Sequence, residues 1–115
     1  MNVSTAPGRK DGEAVVVVRP SGEIDNPAAD ELDAEVLRVL DEGGARIILD
    51  LTDVTYLNSA GVGVIAMAAK RARARGGDLA LVGLQDRPRR AVELVRLDQI
   101  LIVADTEEEA RARLG

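Results

Sequence analysis

Short apolar runs alternate along this chain with stretches whose apolar residues recur at helical spacing. That alternation limits the fold more than any other feature of the sequence. The runs are residues 15–18, 47–51, 79–82 and 100–103. The first is four valines, the pattern of a strand covered on both faces. Between the first two runs, Leu32, Val36, Val39 and Leu40 follow a helical period that Gly43 and Gly44 stop. Asn26 followed by Pro27 reads as the N-cap and first residue of that helix. A second helix is expected over residues 60–75, stopped by Gly76 and Gly77 and capped by Ser59. A short third one spans 88–95, with Ala91, Leu94 and Val95 on its apolar face. Thr106 with Glu109 three residues on forms a capping box for a last helix ending at Leu114. Gly22 to Ile24 extends the first run as an edge or bulge, and residues 54–58 read as a connection. Alternating strands and helices imply crossover connections and a mostly parallel sheet with helices packed on it, an α/β domain.

At 115 residues the chain is one domain without need of staples. Residues 1–12 are polar, with Pro7 and Gly8, and are expected to be a flexible arm before a domain over 13–115. The polar N-terminal stretch lacks the apolar centre of an export signal, so a cytoplasmic protein is expected. No stretch suits membrane insertion.

Composition removes many functions. Cys and His are both absent. A disulfide scaffold, a Cys-ligated metal and the histidine-activated nucleophiles are thereby excluded. Tyr56 is the only aromatic residue, too few for a platform on which bases stack. A net charge of −5 argues against a phosphate-backbone binder, so no nucleic acid is expected. The charge is uneven: residues 1–60 balance to −7 and residues 61–115 to +2. The bases of the second half cluster at Lys70, Arg71, Arg73 and Arg75, and at Arg87, Arg89 and Arg90. Such a run reads as a solvated helix end complementing its dipole, or as a basic edge for a partner.

The usual chemical motifs are missing as well. Gly61-Val62-Gly63 lacks the third glycine of a dinucleotide loop, since Ala66 holds that position. Asp50 and Asp53 flank one turn, where Asp53 is expected to satisfy turn backbone rather than bind a metal. Neither cofactor nor metal is expected. Asp30, Glu31 and Asp33 lie early in the first helix and complement its dipole. Ser59 stands apart, because Ala60, Gly61 and Gly63 leave the helix start after it uncovered. A glycine inside a helix costs about 1 kcal/mol relative to Ala, and bare backbone at a positive helix end admits a phosphate or a partner chain. With no histidine to activate it, Ser59 is a poor nucleophile for catalysis. As an acceptor of phosphate from another enzyme it needs only exposure.

The segment from Asp50 to Ile65, DLTDVTYLNSAGVGVI, resembles the signature of STAS domains, and most of all that of the small bacterial anti-sigma factor antagonists. Gly22-Glu23-Ile24-Asp25 resembles a second family marker, and Gly76-Gly77-Asp78-Leu79 a third. The likeness covers about residues 13–114. It implies a mostly parallel four-stranded sheet plus an N-terminal strand, with helices packed mainly on one side. It also implies a regulatory binding protein, not an enzyme. The unphosphorylated form would bind a kinase-type anti-sigma factor and release a sigma factor. Phosphorylation of Ser59 by that kinase would switch it off, and a PP2C-type phosphatase would reverse the change. The implied partner surface is Glu23, Asp25, Asn58, Ser59, Ala60, Gly61, Val62 and Val64. The other role found in such domains is an accessory or scaffold subunit, without a switch, of a signalling assembly or lipid-transport complex. Two positions depart from the signature. Asn58 replaces an Asp, removing a charge while keeping a hydrogen-bonding carbonyl, which is expected to alter kinase recognition. Ala60 replaces a Ser or Thr, leaving Ser59 as the only local hydroxyl.

Overall fold

The computed structural model describes residues 2–10 and 13–114. The elements run β1 Asn2–Lys10, β2 Glu13–Ile24, α1 Asn26–Asp41, β3 Arg46–Asp50, β4 Val54–Leu57, α2 Ser59–Ala74, β5 Asp78–Val82, α3 Asp86–Leu94, β6 Ile102–Ala104 and α4 Glu107–Leu114. They build one six-stranded sheet in the order β1-β2-β3-β5-β6, with β4 paired to β2 off that path. Only β1 is antiparallel.

The valine, isoleucine and leucine runs are continuous because both faces of their strands are covered. Ile47, Leu49, Leu79 and Leu81 face the main core with α1, α2 and α3. Their neighbours Ile48, Ala80 and Val82 face the other side, where Ala110 and Leu114 of α4 cover them together with Val15 and Val17. Three helices on one face and one on the other match the expected architecture.

Differences from the sequence reading fall where pattern is short or polar. The arm expected over 1–12 gives way at Asn2–Lys10, which pairs along β2 as β1. Its ladder rests on backbone bonds, which carry no apolar signature. The Thr5 hydroxyl donates to Glu35 of α1. Arg38 also donates to Glu35 and, with Thr5, holds its carboxyl below the usual carboxylate range against a smaller opposing effect of burial. Residues 54–58 contain β4 rather than only a connection. Glycine at 22, with φ +90°, lets β2 bend where its register with β4 slips by one residue. The third helix begins at Asp86 and ends at Leu94. The last strand shortens to Ile102–Ala104 behind a 3₁₀ turn at Leu97–Gln99.

Candidate docking site

Two helix starts lie side by side. Ile24 and Leu57 are register partners at the ends of parallel strands β2 and β4, and α1 and α2 begin two residues beyond them. The C-terminal edge of a parallel sheet is where α/β folds place their functional groups.

Each helix is capped one residue earlier than the sequence suggested. Asp25, not Asn26, caps α1: its carboxylate accepts from Ala28 N–H at 3.0 Å. Asn58, not Ser59, caps α2: its Oδ1 accepts from Gly61 N–H at 2.9 Å. A cap needs extended backbone, and Asn58 has it at φ −88° and ψ −178°. Ser59 is therefore the first residue of the helix. It is exposed, and its hydroxyl makes no hydrogen bond among the described residues. Asn58 also donates from Nδ2 to Oδ1 of Asn26 at 2.8 Å and from its backbone N–H to the Ile24 carbonyl at 3.1 Å.

The small residues beyond Ser59 divide into two roles. Gly61 is buried, and a Cβ there would lie 2.6 Å from Leu57 Cδ1 and 2.9 Å from Ile24 Cγ2. Among the residues of the expected partner surface it is the buried one: its α-carbon is closed off, and it serves to seat α2 on the two strand ends. A Cβ on Gly63 would meet nothing within 4 Å. Ala60, Val62 and Val64 are half-buried, and Glu23 and Asp25 are exposed on the turn into α1. Val62 lines an open cleft, whereas Val64 lies off it.

That cleft, about 470 Å³, runs between α2 and α3. Asn58, Ser59, Val62, Gly63 and Ala66 form one wall, and Ala91, Leu94 and Val95 the other. The sequence reading assigned the α3 residues to the apolar face of a packed helix. In the fold α3 buries Pro88 and Val92, four residues apart, while Leu94 is 77% and Val95 55% exposed. They stand beside the buried stripe, at a spacing that looks the same in sequence. At the other side of Leu94 and Ala91, a neighbouring hollow includes Arg90 and Arg87, and the Arg87 guanidinium sits 5.1 Å from the Tyr56 ring centre.

Several other residues singled out in the sequence have structural partners. Asp50, rather than Asp53, satisfies the turn, accepting from Thr52 N–H at 3.0 Å, and it also faces Arg19 at 3.5 Å. Arg71 pairs with Asp33 at 3.0 Å and Arg73 with Asp78 at 2.9 Å. Arg75 lies 3.9 Å from Asp41. The α2 basic cluster is thus largely spent on the fold. Among the described residues no group of His, Cys, Asp or Glu is placed to hold a metal ion, and no helix is long and apolar enough to cross a membrane.

Comparison with known proteins agrees with this fold. The STAS domain family matches residues 8–110. The anti-sigma-B factor antagonist of Listeria monocytogenes is 34% identical over 110 residues, 95% of each chain. The crystal structure of a candidate anti-sigma factor antagonist from Thermotoga maritima superposes with a TM-score of 0.82 at 32% identity, covering 87% of this chain and 86% of that one. The Bacillus cell fate determinant SpoIIAA, solved in a phosphorylated form, shares the fold with a TM-score of 0.70 at 24% identity, over 97% of this chain and 100% of that one. A match over nearly the whole length, on a fold with this strand order, makes the chain a member of the STAS domain family.

Proposed function

We propose that this chain is an anti-sigma factor antagonist switched by phosphorylation of Ser59. Unmodified, it docks a kinase-type anti-sigma factor on the Ser59 edge and the α2–α3 cleft, so that a sigma factor is released. The kinase moves the γ-phosphoryl of ATP to Ser59 Oγ; the hydroxyl loses its proton and ADP leaves. A PP2C-type phosphatase restores the hydroxyl with water, releasing phosphate.

One observation carries this reading: an exposed hydroxyl, with no hydrogen bond among the described residues, stands at the first residue of α2, on the wall of an apolar cleft. It is free because Asn58 does the capping. A phosphate there meets the positive end of the helix, so the fold tolerates it. It adds about −1.5 to −2 charges at the rim of the cleft, next to the α1 start where Glu23 and Asp25 are exposed, and a partner that fitted the unmodified surface loses affinity. The relatives named as anti-sigma factor antagonists support the partner class, and SpoIIAA shows that a protein of this fold can carry phosphate.

Incubation with ATP and kinase-type anti-sigma factors, read by intact mass, tests the switch. One added phosphate in the wild type and none in Ser59→Ala is the expected result. A stable complex without phosphate would replace the switch by a scaffold role.

A further inference from the structure

The side-chain amide of Asn58 is held at both ends. Its oxygen faces Gly61 N–H, a donor that only an oxygen can satisfy, so its nitrogen must point away. That nitrogen donates to Asn26 Oδ1 at 2.8 Å, across the gap between the two helix starts. The backbone of Asn58 is fixed too, by its N–H on the Ile24 carbonyl and its carbonyl on Val62 N–H at 3.0 Å. Ser59 is the next residue, and among the described residues its own side chain has no hydrogen bond to orient it.

We propose that Asn26 is a positioning residue for Ser59, acting through Asn58, and that positions 26 and 58 work as a matched pair. The inference rests on the reading of Ser59 as a phosphoacceptor. The chemistry of the pair sets its rules. An amide at 58 can donate to an amide or a carboxylate at 26. A carboxylate at 58 still caps Gly61 N–H, and Asn26 can turn its own NH₂ toward it. Two carboxylates have no donor between them and repel. Asn58, the departure from the family signature, is therefore complemented by a residue from another element 32 positions away.

Four chains test this: wild type, Asn26→Asp, Asn58→Asp and the double variant, with Asn26→Ala as a fifth. In amide-detected NMR the Asn58 side-chain NH₂ pair is expected to shift in Asn26→Ala and to keep its bonded character in Asn26→Asp. Phosphate transfer to Ser59 should slow about fivefold in Asn26→Ala, the worth of one side-chain hydrogen bond. Partner affinity should stay within about twofold, because Asn26 makes its contact to Asn58. Asn26→Asp should retain the wild-type rate. The double variant should lose about fivefold more than the product of the two single changes. That excess should shrink in about 1 M salt, because the pair is exposed. An unchanged NH₂ resonance and rate in Asn26→Ala, or a double variant equal to the product of its singles, would overturn the proposal. A wild-type chain that takes no phosphate overturns the acceptor reading and the positioning role with it, even with the amide pair seen in the spectrum. Normal transfer with the pair absent overturns the positioning role alone.

Discussion

The starts of α1 and α2 are neighbours built to opposite ends. The α1 start is capped by a carboxylate, carries Pro27 in its first turn and buries Ala28 and Ala29 at once. The α2 start is capped by a neutral amide, and between Ser59 and Ala69 it has no charged residue and two glycines. Gly61 is required by packing, but Gly63 faces open space and only weakens the helix. The first start is optimised for stability. The second gives up stability on its outer side only, which is where the cleft lies.

Substitutions can break this comparison, beginning with the largest effect. Gly61→Val should destabilise the domain by about 2–3 kcal/mol, because its side chain would be forced against Leu57 and Ile24. A denaturant midpoint shift with unchanged slope would measure it. Next come the caps. Asp25→Ala should cost about 1–2 kcal/mol and Asn58→Ala about 1 kcal/mol. The excess for Asp25 comes from its charge at the helix dipole and should fade with added salt, which thermal melts in low and high salt will resolve. Gly63→Ala should go the other way, stabilising by about 0.5–1 kcal/mol while reducing partner affinity in calorimetric titration. A more stable variant with unchanged affinity would break the contrast between the inner and outer sides of α2.

The smallest effect concerns the tie between β1 and α1. The Glu35 carboxyl is held below its usual range, chiefly by Arg38. Its stabilising contribution is therefore complete above the ordinary carboxylate range and is lost as pH falls through the lowered value. Hydrogen exchange of β1 amides should report this as earlier opening on acidification, with a flatter response in Glu35→Gln. The effect is small because the Arg38 partner is exposed.

Much of this was legible in the sequence, and the failures have physical reasons. Strands covered on both faces announce themselves as apolar runs, so β2, β3 and β5 were readable. By contrast β4 is four residues long, with Thr55 exposed and Tyr56 half-buried between buried ends, and no period can be read from it. The ladder between β1 and β2 is made by backbone, which composition does not encode. At the site, Ser59 stood out by its small neighbours. The cap was displaced by one because Asn58 and Ser59 are both good capping residues in tandem, and only the end of β4 decides between them. Nor could sequence separate Gly61 from Gly63, since the strand ends that crowd one and miss the other come from distant segments. The exposure of the α3 wall was hidden for a similar reason: apolar spacing shows which residues share a face, not whether anything covers it.

The free hydroxyl of Ser59 has a consequence for how information is stored. Among the described residues no hydrogen bond passes through that oxygen, so adding phosphate breaks none and, at the positive end of α2, does not loosen the fold. On the proposed reading, the phosphorylated form is then no more open to proteases than the unmodified one. The pool keeps its size while its composition changes. A signal is then written as the fraction of molecules competent to dock, which can be reset without synthesis or degradation.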